Sequence, residues 1–380
     1  MNTPSRNLRT LLGGVGPLCL ALGLPAANLL AKEITVPSGS ILTIQQAVDA
    51  ATPGDTIIVL PGTYANVSID PSKPGLTLRA VGPPGSVKVV GLGASVWNVG
   101  IYIQADDVSV QGFAISNATD GIRALSTSHG VRITDNQIGN LSGPYGAAIE
   151  IDSSSGVEVA RNTLFGAVPQ EGVGVSMSSD IHVHDNSAIN CAVGDDFIVL
   201  SGSTDCEIDH NTLHSGGNPN SGIFLNGWSP AGPNTQHHIH HNRMDNAVQG
   251  IFLWQSPKCV LDYNTCDSNQ TGIYVASSPN CTVDHNEADN NGQQGGGSGI
   301  GIGDSPDSIV TYNQATSNAP WGIIVGSSCG TLFAHNSAEG NGQWDLYAPN
   351  WDPSSPPTCN TYLDNHAGTA SPSLALWDVQ

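Results

Sequence analysis

The chain has 380 residues, of which 45 are glycine, 24 are proline and only 11% are charged. Such a composition is rich in turn formers and poor in helix formers, so it favours short strands joined by tight corners. The formal net charge is −21, from 32 acidic against 11 basic residues, which argues against partners such as nucleic acid or an anionic membrane.

Residues 1–31 have the features of a secretory signal peptide. Arginines supply a positive end, an apolar run extends from Leu11 to Leu24, and Ala27 or Ala31 offers a small residue before a cleavage site. The alternative is an uncleaved membrane anchor, which the glycine and proline content of the run disfavours. No later stretch is apolar enough to span a bilayer. We therefore expect a secreted or periplasmic protein with no membrane contact after the leader is cleaved.

The segment from Thr43 to Ala51 is the one stretch with helical periodicity. Ile44, Ala47 and Val48 fall on a single face, and the Thr43 side chain can cap the N-terminus. A repeat protein must cover its open apolar ends, so we expect this helix to be an N-terminal cap.

From residue 120 onward the chain repeats itself with a period in the twenties. Each copy has a glycine, a short β-branched strand, a serine-rich corner, a second short strand and an asparagine corner. The corner asparagine recurs at positions 136, 162, 186, 211, 242, 264, 286, 313, 336 and 365. Period-2 strands without a helical stripe between them predict a β-solenoid, with the asparagines stacked in a structural column.

This pattern resembles the pectate-lyase-like superfamily, and the resemblance covers nearly the whole chain after the leader. It implies an all-β, single-stranded, right-handed parallel β-helix. We expect one domain from 32 to 380, with the N-terminal cap and early coils at 32–119, regular coils at 120–341 and a C-terminal cap at 342–380.

Strand alternation predicts which side chains enter the core. The residue after each glycine, or its equivalent, should point inward, as listed here: Ile122, Ile149, Val173, Phe197, Ile223, Ile251, Ile273, Ile300 and Ile323. The flanking residues should point outward onto a groove, because irregularities in coil length cluster beside this strand. The outward residues that we expect to bind substrate are Glu150, Asp152, Phe224, Asn226, Trp228, Phe252, Trp254 and Tyr274. The aromatic rings among them can stack on sugar faces or be covered by loops as a satellite core.

Three acidic residues are the candidate catalytic groups: Glu171, Asp195 and Asp196. Glu171 and Asp195 are predicted to share one outward column, one coil apart, with Cβ atoms about 5 Å from each other. Asp196 is predicted to occupy the glycine column. Hydrolysis of a glycosidic bond needs two such carboxyl groups. The alternatives are solvated turn acids or a Ca²⁺ site.

The segment GDDFIVLSGS, residues 194–203, also resembles the aspartate-pair motif of polygalacturonases. That resemblance implies catalytic roles for Asp195 and Asp196, with Glu171 as the acid of the preceding coil. The chain departs from the motif on the next coil, where Ser221-Gly222 stands in place of His-Gly, and the missing cationic groups disfavour galacturonate.

A second polar constellation lies on the strand that precedes the corner asparagine. We expect its outward histidines to be candidate metal ligands, namely His182, His184, His238 and His240. Imidazole and carboxylate groups at i and i+2 on adjacent strands suit a transition metal. The alternative is a solvated ladder in which histidines pair with acids across coils.

Cys206, Cys259 and Cys281 fall in one column, and the last two are on adjacent coils. Stacked strands are about 4.8 Å apart, which is close to the Cα separation that a disulfide tolerates. A column of small buried side chains is the alternative.

We interpret the chain as a monomeric enzyme that acts on a neutral or weakly charged polysaccharide or oligosaccharide, most simply as a glycoside hydrolase with no required cofactor. The alternative is a non-catalytic periplasmic or surface protein that binds glycan or metal, as β-helix accessory proteins of copper enzymes are thought to do. A polysaccharide lyase or uronate epimerase is the third possibility.

Overall fold

The structure is a computed structural model that describes residues 31–91, 98–125, 128–143, 145–216, 219–227, 234–293, 295–349 and 359–371. The predicted leader up to residue 30 and the predicted substrate ligand Trp228 lie outside these ranges. The chain from Ala31 onward forms one compact unit. In the part that the structure describes, no helix has the length and apolar character needed to cross a bilayer.

The described residues form one helix and 38 short strands. The elements of the N-terminal coils are β1 Glu33–Val36, α1 Ile44–Ala50, β2 Thr56–Val59, β3 Gly62–Tyr64, β4 Val67–Ile69, β5 Thr77–Ala80, β6 Val87–Val90, β7 Val99–Ile103, β8 Ser109–Gln111, β9 Ala114–Ser116, β10 Asp120–Ala124, β11 Arg132–Thr134 and β12 Gln137–Gly139. The strands of the central coils are β13 Ile149–Asp152, β14 Glu158–Ala160, β15 Thr163–Phe165, β16 Ala167–Val168, β17 Val173–Ser176, β18 His182–His184, β19 Ser187–Ile189, β20 Ala192–Val193, β21 Asp196–Ser201, β22 Glu207–Asp209, β23 Thr212–His214, β24 Ser221–Asn226, β25 His238–His240, β26 Arg243–Asp245 and β27 Gln249–Trp254.

The strands of the C-terminal coils are β28 Val260–Asp262, β29 Thr271–Ala276, β30 Thr282–Asp284, β31 Gly297–Gly303, β32 Ile309–Thr311, β33 Pro320–Gly326, β34 Leu332–Ala334, β35 Ser337–Ala338, β36 Trp344–Tyr347, β37 Thr361–Leu363 and β38 His366–Ala367.

These strands stack into three long parallel sheets that the chain visits in turn. The first has fourteen strands, from β1 to β37, and is called the histidine sheet because it carries the four predicted histidine ligands. The second has twelve strands, from β4 to β36, and is called the groove sheet because it carries the predicted groove residues. The third sheet has eight strands, from β3 to β26, and two shorter pairs continue the coil elsewhere. The predicted parallel β-helix is therefore confirmed.

Helix α1 is the predicted N-terminal cap. The Thr43 hydroxyl accepts a hydrogen bond from the Gln46 N–H at 3.1 Å, and the Gln46 side chain accepts one from the Thr43 N–H at 3.1 Å. This reciprocal capping box fixes the start of the helix. Ile44, Ala47 and Val48 are buried, so the helix covers the apolar end of the coil as expected.

The corner asparagines form the predicted column. From Asn136 to Asn365, each side-chain amide donates to the side-chain oxygen of the next asparagine at 2.9–3.1 Å. The residue before each asparagine has a φ between 47° and 59°, which turns the chain at every coil. Because the buried amides satisfy one another, the column can stay inside the protein without unpaired polar groups.

The residues predicted to point inward are buried, but at one coil the residue assigned to this column is wrong by one position. Val173 pairs with Ile198, and Ile198 pairs with Ile223, so Ile198 holds the position assigned to Phe197. Phe197 instead lies in the glycine column. A Cβ atom at Gly172 would lie 2.8 Å from Phe197 Cδ2, so the missing side chain at Gly172 makes room for the buried ring.

The cysteine column is confirmed in part. The pairing of Val260 with Thr282 places Cys259 beside Cys281, but both thiols are buried and unbridged. The structure instead has a disulfide between Cys329 and Cys359, with Cα atoms 5.0 Å apart, which the sequence analysis did not predict.

Candidate functional site

The outward side chains of the groove sheet form one continuous column along the coil axis. In register, its members are Ser68, Tyr102, Arg123, Glu150, Gly174, Val199, Phe224, Phe252 and Tyr274. A second row on the same face runs two residues further along each strand and comprises Asp152, Ser176, Ser201, Asn226 and Trp254. The structure thus brings the described substrate-binding candidates to one face, acidic at one end and aromatic at the other.

The predicted alignment of the acidic candidates is wrong by one residue. The Gly172 N–H donates to the Asp196 carbonyl, so in the backbone register Glu171 is aligned with Asp196 and not with Asp195. Asp195 is aligned with Gln170, and the Asp195 N–H donates a hydrogen bond to the Gln170 carbonyl. The Asp195 carboxylate accepts a hydrogen bond from the Asn220 side chain. The cause is the buried Phe197, which takes the glycine position and moves both aspartates back by one residue.

Two glutamate carboxyl groups converge above Gly174. A Cβ atom at Gly174 would lie within 2.5 Å of both Glu150 Oε2 and Glu171 Oε2. These two distances are 2.3 Å to Glu171 Oε2 and 2.5 Å to Glu150 Oε2, so the two oxygen atoms are no farther apart than the sum of the two distances. Glu150 comes from the strand column and Glu171 from the turn before β17, so a glycine in the outward column is what allows them to meet.

The electrostatics of this cluster favour protonated carboxyl groups. Burial, and then the charge of Glu171, raise the pKa of Glu150 to about 8. Burial, and then the charge of Asp195, raise the pKa of Glu171 to about 7. Because the two groups are close and poorly hydrated, they favour a state that holds one shared proton near neutral pH.

Asp196 and Asp120 extend the carboxyl cluster. Burial and the charge of Asp195 raise the pKa of Asp196 to about 7, although hydrogen bonds from Ser221 oppose this shift. Among the described residues, the buried Oδ1 of Asp196 has no hydrogen-bond partner. Burial also raises the pKa of Asp120, whose carboxylate lies 3.4 Å from the Arg123 guanidinium.

The aromatic row is stacked, but not in the way that sugar binding requires. The rings of Phe224 and Phe252 are 5.0 Å apart and inclined by 4°, and those of Phe252 and Tyr274 are 5.7 Å apart and inclined by 7°. Neighbouring rings therefore cover each other's faces. Trp254 stands at 85° to Phe252 and is 43% exposed, so it is the member best placed to contact a sugar ring.

A cavity of about 410 Å³ adjoins the acidic end of the groove. Its wall includes Tyr102, Arg123 and Leu125 from the groove sheet and Gln45 from the capping helix. This cavity was not predicted, because the coils before residue 120 are irregular in length. A mixed apolar and polar wall of this kind suits a small part of a ligand.

The histidine sheet carries a grid of imidazole and carboxylate groups. One row contains His182, Glu207 and His238 in register, and the next contains His184, Asp209 and His240. In both rows the acid lies between two histidines from the neighbouring coils. The predicted outward placement of the four histidines is therefore observed, and acidic side chains intervene between them.

Two groups in this grid have the geometry to hold a metal ion. The potential ligand atoms of His182, Glu207 and Asp209 lie within 4.8 Å of one another, and so do those of Glu207, His238 and His240. His184 belongs to neither group, because its Nε2 is directed to Glu158 at 3.4 Å. The sequence prediction gave the four histidines as ligands beside carboxylates on adjacent strands; in the structure Glu207 belongs to both groups and Asp209 to one.

The fold and the family comparisons define the class of protein. The family described as "Right handed beta helix region" matches residues 193–338. Together with the stacked parallel sheets, this match gives the chain the fold of a right-handed parallel β-helix repeat protein, as in the pectate-lyase-like superfamily. The family described as "Periplasmic copper-binding protein (NosD)" matches residues 82–230. Comparison with curated protein sequences gives no match.

Solved structures with the same fold include enzymes that act on polysaccharides. The A-module of a mannuronan C-5 epimerase from Azotobacter vinelandii superposes with a TM-score of 0.66 at 14% identity, over 87% of this chain and 94% of that one. A mannuronic acid specific polysaccharide family 6 lyase from human gut microbiota gives 0.59 at 16% identity, over 88% and 86%. A periplasmic alginate epimerase gives 0.60 at 14% identity, over 89% and 83%. At these identities the likeness shows the fold.

Proposed function

We propose that the protein is an exported glycoside hydrolase that cleaves a neutral or weakly charged glycan in its acidic groove. The observation that carries this proposal is the convergence of the Glu150 and Glu171 carboxyl groups above Gly174. Their short separation favours the retaining arrangement, in which the two carboxyl groups are roughly 5–5.5 Å apart, over the inverting one, in which they are roughly 6.5–9.5 Å apart. The predicted leader and the periplasmic description of one matching family support export.

The raised pKa values assign a role to each glutamate. With a pKa of about 8, Glu150 keeps its proton at neutral pH and acts as the general acid that protonates the leaving oxygen. Glu171, with a pKa of about 7, supplies the carboxylate that attacks the sugar. Asp195 and Asp196 remain in the proposed catalytic set, because the charge of Asp195 contributes to the raised pKa values of Glu171 and Asp196, and Asp196 is aligned with Glu171.

The charge of the groove favours hydrolysis over elimination or epimerisation. A uronate substrate would bring its own carboxylate, which a lyase or epimerase has to neutralise. Among the strand residues of the groove sheet, Arg123 is the single cationic side chain, and Asp120 already pairs with it at 3.4 Å. A neutral or weakly charged glycan avoids the repulsion that a polyuronate would meet there.

The test is product chemistry on a panel of neutral and uronate-containing glycans in ¹⁸O-labelled water. We expect cleavage of a neutral glycan with one labelled oxygen at the new reducing end, and near-complete loss of cleavage in E150Q and E171Q. E287Q, which changes an exposed glutamate outside the groove, should retain activity. An unsaturated product, a change of sugar composition without cleavage, or full activity in both glutamine variants would overturn the proposal.

Metal binding on the histidine sheet is the second candidate function. Two observations favour it. The match to the periplasmic copper-binding family covers β18 and β22 and ends before β25, and two ligand groups of suitable composition lie on these three strands. Imidazole and carboxylate donors suit Cu²⁺, so the residues present fit such an ion. His182, His238 and His240 already hydrogen bond to carboxylates at 2.5–3.0 Å, and an ion would replace the shared proton.

A copper titration of tag-free protein tests this second function. We expect stoichiometric binding that weakens on acidification, because protons compete with the metal ion for its ligands. The double variant H238A/H240A should lose affinity, whereas H335A, which removes an exposed histidine elsewhere, should not. Equal binding by the double variant and the wild type would exclude the site.

A further inference from the structure

The two ligand groups on the histidine sheet share one residue. Glu207 lies in the middle coil of the grid, between His182 on the preceding coil and His238 on the following coil. It belongs to both groups of potential metal ligands. The remaining members differ, since one group takes His182 and Asp209 and the other takes His238 and His240.

The two oxygen atoms of Glu207 are directed to opposite sides. Oε1 lies 3.0 Å from His240 Nε2, and Oε2 lies 4.0 Å from His182 Nε2. Asp209 Oδ1 is 2.5 Å from the same nitrogen of His182 and completes the first group. The contact to a histidine of each group is therefore made by a different Glu207 oxygen, as expected of a carboxylate that bridges two cations.

The surroundings also favour two cations over one. Four acids, Glu158, Glu207, Asp209 and Asp262, each pair with a histidine of the grid at 2.5–3.4 Å. Two divalent ions would balance this negative charge, and the half-exposed Glu207 side chain leaves each ion open to water on one side.

We propose that Glu207 bridges a pair of divalent transition-metal ions, one held with His182 and Asp209 and the other with His238 and His240. This inference rests on the metal-binding function proposed above. It adds the number of ions, the bridging residue and the acidic ligands. It also excludes His184, whose imidazole is directed away to Glu158 and Asp185.

The test is a Cu²⁺ titration of tag-free, chelator-stripped full-length protein above pH 6.5, with bound copper counted by equilibrium dialysis and elemental analysis and its spin state followed by electron paramagnetic resonance. We expect two ions per chain, and a resonance signal per copper that drops when the second ion binds because the bridged ions couple magnetically. Two ions with undiminished, uncoupled signals would overturn the bridge. One ion per chain would overturn the pair and leave the single-site function standing, and no binding would overturn both.

Two variants make the test specific for the bridge. E207Q keeps the size of the side chain but weakens it as a ligand, so we expect loss of the magnetic coupling and about tenfold or weaker binding of the second ion. Glu207 is half exposed, so this change should not disturb folding. D284N alters an acid two coils beyond His240 in the same outward row and outside both groups, and it should behave as wild type. Unchanged coupling in E207Q would overturn the proposal.

Discussion

Gly174 is the residue that makes the proposed catalytic pair possible. Any side chain at this position of the outward column would occupy the space in which Glu150 and Glu171 meet. The sequence predicts that both glutamates point outward, because strand alternation fixes the side of each residue. Their convergence was not predicted, since it depends on a missing side chain on a neighbouring coil and on the exact register.

We therefore expect G174A to separate the two carboxyl groups and leave the fold intact. The new methyl group would displace the ends of two flexible side chains and no backbone atom. Because small misplacements of catalytic groups are costly, cleavage should fall about 10- to 100-fold. Initial rates and circular dichroism test this expectation, with G342A as a control whose methyl group would meet nothing closer than 3.6 Å. Full activity in G174A would contradict the assigned geometry.

The raised pKa values also predict how stability depends on pH. The folded protein holds the pKa of Glu150 at about 8 and those of Glu171 and Asp196 at about 7, whereas such groups titrate near 4 in an unfolded chain. Between these values the folded state binds more protons, so stability falls as pH rises. His237 acts in the opposite sense below about pH 6.5, because burial lowers its pKa to about 4.

The interval from pH 6.5 to 8 therefore reports on the carboxyl groups. We expect the melting temperature to fall across it, and to fall less in the double variant E150Q/E171Q, which carries two of these groups in permanently neutral form. Differential scanning calorimetry at constant ionic strength measures both slopes. An equally steep fall in the double variant would show that other groups are responsible.

At the scale of the element, the asparagine column connects the coils. Its period was visible in the sequence because each corner repeats one residue type. One coil broke the prediction, at Asp195 to Phe197, since a large apolar residue replaced the glycine by which the coils were aligned. Composition does not reveal a register shift of one residue, but such a shift changes which acid is aligned with Glu171. The disulfide between Cys329 and Cys359 was missed because neither residue lies in the cysteine column.

Substitution of a central rung should destabilise the protein. Asn264 is buried and donates to Asn286 Oδ1 at 2.9 Å and to the Ile239 carbonyl at 2.8 Å. N264A would leave several buried polar groups unpaired, so we expect a loss of about 2–4 kcal/mol in the free energy of unfolding. Chemical denaturation measures this loss, with Q343A as an exposed control. A change below about 0.5 kcal/mol would show that the column is not needed for stability.

At the scale of the molecule, a single β-helix carries different functional groups on different sheets. The carboxyl cluster lies on the groove sheet and the imidazole grid on the histidine sheet, so the two candidate functions use separate residues. Fold class follows from periodicity and is shared by many enzymes. Function depends instead on a few side chains at defined register positions.

The pH dependence of the cleavage rate tests the central claim, that Glu150 and Glu171 work as an acid and carboxylate pair at neutral pH. Using the glycan identified by product analysis, we expect kcat/KM to follow a narrow bell, with apparent pKa values near those of Glu171, about 7, and Glu150, about 8. E150Q should remove the alkaline limb together with most of the rate. A rate that instead rises and levels off near pH 4 to 5, where ordinary carboxyl groups titrate, would contradict the account.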